Sequence, residues 1–144
     1  MLTQSQIDAF HEDGYLVLDD ALTDADLSPV QEEYSRLVEE RAGRLRDEGR
    51  IDDTHAEAPC ESRLALLASE APEIVTNLDI MQVRGPATYQ FLRNRRLLDI
   101  VEPLVGPEIV CNPIQHIRAT LPTAQSERPP TPWHQDAGVC WPEA

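Results

Sequence analysis

The prevailing hydrophobic period of this chain changes near Glu108, and that change constrains the fold more than any other feature. Up to Val105 the apolar residues recur at three- and four-residue spacing, whereas Ile109, Cys111, Pro113, Gln115, Ile117, Ala119 and Leu121 fall on one side of an extended chain. Helices come first and strands follow. The reading is therefore α+β in a single domain, helical over about 1–107 and with its first strands over about 108–144. A length of 144 residues supports one core of ordinary size.

Local signals divide the helical part. Thr3 followed by Gln6 is a capping box, and Gly14 offers a stop, so a helix is expected over 4–13. Tyr15-Leu16-Val17-Leu18 favours a strand ended by Asp19 and Asp20. Ser28-Pro29-Val30-Gln31 reads as a cap, a first-turn proline and a capping-box partner, with Val30, Tyr34, Leu37, Val38, Arg41 and Leu45 along one side of a helix reaching about Asp47. Residues 50–62 are polar, acidic and aperiodic, which predicts a surface loop. Leu64 to Leu67 make a short helical or buried piece limited by Pro72, and Pro86–Arg93 and Arg95–Val105 read as two further helices. Pro113 confines the middle of the extended stretch to an edge or a join between strands.

Charge narrows the range of functions. The chain carries 26 acidic and 12 basic residues, a net charge of -14, and 18 of the acidic residues lie in the first half. Such a surface repels phosphates, so no nucleic-acid partner is expected. Every basic residue is Arg, which excludes chemistry that depends on lysine. Cys60, Cys111 and Cys140 are odd in number and too far apart for a zinc pattern. No stretch approaches the roughly 18 apolar residues of a membrane span, and the N-terminus lacks a basic, then apolar leader, so the expected address is the cytoplasm.

The most informative stretch is Pro132-Trp133-His134-Gln135-Asp136. In an extended chain His134 and Asp136 project from one face, so an imidazole and a carboxylate converge on one ion. These are two of the three donors of a two-His, one-carboxylate facial triad, the arrangement of non-haem Fe(II) oxygenases. Taken alone, an H-x-D tripeptide more often marks a loop histidine bonded to a neighbouring acid. Trp133 alternates away from that face. His116 and Arg118 share the strand face opposite Gln115, while His11, His55 and Cys60 match no metal spacing.

Three segments widen the argument: LTQSQIDAFHEDGYLVLDDALTDADL, RRLLDIVEPLVGPEIV and PTPWHQDAGVCWPEA. In this order they resemble the phytanoyl-CoA dioxygenase family of iron(II)- and 2-oxoglutarate-dependent oxygenases. The resemblance implies N-terminal helices packed on part of a double-stranded β-helix, a jelly roll, incomplete at the C-terminus. It implies that His134 and Asp136 are Fe(II) ligands and that Gln115 contacts the co-substrate 2-oxoglutarate. It also places Trp141, Met81 and Gln82 on the substrate side. The implied partners are a small-molecule substrate and dioxygen, with no nucleic acid and no membrane; oligomeric state is not legible. An intact Asp136 favours hydroxylation over halogenation, and H-x-D rather than H-x-H separates the chain from cupin-type metal proteins.

The family's second histidine ligand and the basic residue for the distal carboxylate of 2-oxoglutarate come downstream of the metal motif, where this sequence has no counterpart. The chain is accordingly expected to be the front part of a longer oxygenase. The competing expectation is a non-catalytic remnant that binds a small molecule or a partner through a half-built cavity.

Overall fold

A computed structural model of the chain describes residues 2–78, 82, 83, 85–111 and 121. Five α-helices and one 3-10 turn make up its regular structure: α1 (Gln4–Asp13), α2 (Asp24–Asp47), α3 (Cys60–Glu70), the 3-10 turn Pro72–Val75, α4 (Pro86–Leu92) and α5 (Arg95–Val105). The expected strands beyond Cys111 lie outside the described residues.

The first helix follows its sequence signals residue for residue. Gln6 N–H donates to Thr3 Oγ1 at 3.3 Å, and Thr3 N–H donates to Gln6 Oε1 at 2.9 Å. At the other end Gly14, with φ of 80°, donates its N–H to the Phe10 carbonyl at 2.9 Å. Residues 15–18 keep the alternation expected of a strand, with Tyr15 and Val17 exposed and Leu16 and Leu18 half-buried. They join no ladder among the described residues, because β-propensity supplies a pattern and pairing needs a second strand.

The long helix α2 starts earlier than Ser28-Pro29 suggests. Thr23 is the cap, and the Asp26 carboxylate accepts from Thr23 N–H at 2.8 Å and from Thr23 Oγ at 2.6 Å. Ser28 works inside the helix, its hydroxyl donating to the Asp24 carbonyl at 2.6 Å. Pro29 lies in the second turn, where its missing N–H forfeits one bond, to the Ala25 carbonyl. The next helix, α3, is also longer than Leu64 to Leu67. It ends at Ala71 because Pro72 pushes the preceding residue out of helical geometry, to φ -133° and ψ 86°.

The core sits at one end of α2. Ala42, Leu45, Ile51, Leu67, Ala68, Ala71 and Ile74 form one buried cluster, with Val38, Leu64, Val75 and Leu121 packed against it. Burial of these side chains is the principal drive that brings the C-terminal half of α2 onto α3 and the 3-10 turn. Two arginines then fasten the loops around it. The Arg41 guanidinium donates to the carbonyls of Ile74, Thr76 and Asn77 at 3.1, 2.5 and 2.7 Å, satisfying a turn that has no ladder of its own. Arg63 does the same for the loop after α2, donating twice to the Thr54 carbonyl, at 3.0 and 2.9 Å, and once to Glu39 at 2.5 Å.

Candidate functional site

Of the six residues singled out for a site, the described part of the structure holds one. Gln82 is exposed and sits in a turn four residues ahead of α4. His134, Asp136, Gln115, Trp141 and Met81 lie outside the described residues, as do His116 and Arg118. Among the described residues no three His, Cys, Asp or Glu side chains stand close enough to hold a metal ion. His11 is exposed on α1. His55 is already engaged, its Nε2 donating to Glu70 Oε1 at 2.8 Å.

That His55–Glu70 contact fixes the loop after α2. Asp52 N–H donates to the second Glu70 oxygen at 3.3 Å, and His55 takes a left-handed φ of 50° supported by its own N–H donating to Asp53 Oδ1 at 2.8 Å. The hydrogen bond from His55, with that from Asp52, outweighs desolvation and holds the Glu70 carboxyl below the usual range. Its chemistry is that of a structural tie.

Two carboxylates that the sequence reading passes over organise the other end of α2. Glu33 Oε2 accepts from Ala87 N–H at 2.8 Å, and Glu33 Oε1 accepts from Thr88 N–H at 3.0 Å and Thr88 Oγ at 2.6 Å. The N-cap of α4 is Gly85, which has no side chain to give, so Glu33 caps α4 from another helix. A Cβ at Gly85 would overlap the Glu33 carboxyl group, so any larger residue there would displace the carboxylate from its cap. Desolvation raises the Glu33 pKa, but the three bonds from Thr88 and Ala87, with Arg36 nearby, bring it below the ordinary value.

Asp26 plays the corresponding part for α5. Its Oδ1 accepts from Asn94 Nδ2 at 2.8 Å, and Asn94 in turn caps α5 by accepting from Leu97 N–H at 3.1 Å. Arg96 Nε lies 3.2 Å from Asp26 Oδ2. The bonds from the Thr23 hydroxyl and backbone, then that from Asn94, hold the Asp26 carboxyl down at about 2. A cue for both acids was present in the sequence: Asp26 and Glu33 are seven apart, two turns along one helix face. Nothing in the sequence named their partners.

Beside this face an open groove of about 590 Å³ runs between α1, residues 18–21 and the first turn of α5. Its floor is apolar, through Leu2, Leu18 and Ile100, and its two arginines are already paired, Arg95 with Asp99 at 2.7 Å and Arg96 with Asp26. No nucleophile or metal donor set stands in it. No helix among the described residues is long and apolar enough to cross a membrane.

Comparison with known families gives a match over residues 10–142 to phytanoyl-CoA dioxygenase (PhyH). The chain belongs to the phytanoyl-CoA dioxygenase family, whose kind of activity is Fe(II)- and 2-oxoglutarate-dependent oxygenation. Comparison with curated proteins and with solved structures gives no match.

Proposed function

We propose that this chain supplies the first two metal donors and part of the substrate side of an Fe(II)- and 2-oxoglutarate-dependent hydroxylase acting on a small organic substrate or acyl chain. What carries the reading is the extent of the family match, which runs through residues 10–142 and so across His134-Gln135-Asp136. The donor chemistry supports it: a neutral imidazole and a carboxylate two positions apart suit Fe(II) and leave coordination positions open. In this reading His134 and Asp136 hold the metal and Gln115 hydrogen-bonds 2-oxoglutarate. Met81, Gln82 and Trp141 face the substrate, and the helices lie against part of a jelly roll. When bound, iron with 2-oxoglutarate supplies the oxidising power for attack on an unactivated C–H bond; the protein's part is to orient the reactants and exclude water.

The test is single substitution, His134→Ala and Asp136→Ala, in the protein that contains this chain. Succinate release from 2-oxoglutarate and anaerobic Fe(II) binding are then measured. Both should fall at least tenfold, as roughly expected for loss of a first donor given the 10- to 100-fold cost of disturbing its supports. Unchanged succinate release in either variant would falsify the assignment. Glu70→Ala serves as the control, since its carboxylate is committed to His55 and should leave iron binding intact.

A further inference from the structure

Neither α4 nor α5 contributes a fully buried apolar side chain; the one buried residue of α4 is a threonine, and α5 has none. All seven members of the buried cluster lie between Ala42 and Ile74. Among the described residues, the side-chain bonds that join the 86–105 segment to α2 are polar, and the apolar side chains beside them, Phe91, Leu92, Leu97 and Leu98, are only half-buried. Glu33 grips the N-terminus of α4 through three bonds, and two turns earlier Asp26 grips Asn94, the residue that both follows α4 and caps α5. A helix of seven residues is far too short to persist by itself, so α4 exists because α2 caps and seats it.

We propose that α4 and α5 form a flap clasped to α2 by the Asp26 and Glu33 carboxylates, and that this flap opens as a unit while the α2–α3 core stays folded. Three features support independence of the two parts. The contacts of Asp26 and Glu33 with the flap go to Ala87, Thr88, Asn94 and Arg96, all outside the core cluster. Helix α1 packs on α5, so it rides on the flap side. The clasp is a set of directional bonds that weaken steeply with distance and angle, so losing one end loosens the other.

Among the described residues, the charged groups facing the clasp are few. Arg36 on α2 approaches Glu33, Arg96 on α5 approaches Asp26, and α4 itself, Pro86–Leu92, carries no ionisable group except Tyr89. The hydrogen bonds that engage both carboxyls also hold them below their ordinary values, so both are charged at neutral pH. Gln82 sits four residues ahead of Pro86 and would travel with the opening. The proposal does not rest on the metal assignment.

Native-state hydrogen exchange on the full chain at neutral pH tests it. In the unsubstituted protein the amides of 87–105 should exchange at least about tenfold faster than those of 38–45 and 64–71, as separate opening units do. Glu33→Gln combined with Asp26→Asn should accelerate the first group at least about a further tenfold and leave the second within about twofold, since each lost cap is worth roughly a factor of five. Gly85→Ala reaches the same end without altering charge, by displacing the Glu33 carboxylate. Uniform protection across both groups in the unsubstituted chain, or equal acceleration of both in the variants, would overturn the flap.

Discussion

The two halves of α2 are held by different physics. Its C-terminal half presents Ala42 and Leu45 to a buried apolar cluster, while its N-terminal half presents Asp26 and Glu33 to the ends of two other helices. Apolar packing scales with area and is shared among many small contacts. A carboxylate clasp depends on angle and distance, and fails with the loss of one partner. The same helix is therefore robust at one end and conditional at the other.

That contrast breaks most decisively at Leu67, which is fully buried. Leu67→Ala should cost about 2–5 kcal/mol in urea denaturation, from lost transfer energy plus a cavity. A loss under about 1 kcal/mol would mean the core is not where this account puts it. Next comes Arg41→Met, which strands the carbonyls of Ile74, Thr76 and Asn77 and should cost about 1–3 kcal/mol. Arg41→Lys should recover only part, because an ammonium cannot reproduce the planar fork.

At the conditional end, Gly85→Ala should cost about 1 kcal/mol, the value of a helix cap. In a Glu33→Ala background the same change should cost almost nothing further, because the group it collides with is gone; additive costs in that double-mutant cycle would refute the steric link. Acid adds a direction without a size. Asp26 titrates at about 2 in the folded chain against an ordinary 3.8, so its contribution is complete above that ordinary value and is lost as pH falls toward 2. Glu33 and Glu70 act in the same sense, and Asp26→Asn should flatten the acid limb of a stability–pH curve. The smallest effect belongs to Asp20→Gly, which removes a side chain from a left-handed φ of 51° and should shift stability by no more than about 0.5 kcal/mol, read as a small change in Tm.

Legibility in the sequence followed the range of the interactions. The capping box of α1, its Gly14 stop and the Pro86 and Arg95 starts of α4 and α5 all depend on residues within one turn, and they were readable. The start of α2 was misplaced because Ser28-Pro29 and Thr23-Asp26 are both plausible caps; the folded chain uses the second, and Asn94 and Arg96 add to its Asp26. The Glu33 cap was invisible because its partners lie 54 and 55 positions away. For the candidate site the order was reversed. His134 and Asp136 stood out as residue types at a telling spacing, and the family match spans them.

The Gly85–Glu33 collision has a consequence for inheritance. A lineage that acquires any side chain at 85 turns the acid at 33 away from its cap and so removes the reason to keep it. Two sites distant in the gene should thus drift as a couple, and an alignment of relatives would record their shared history as correlated replacements.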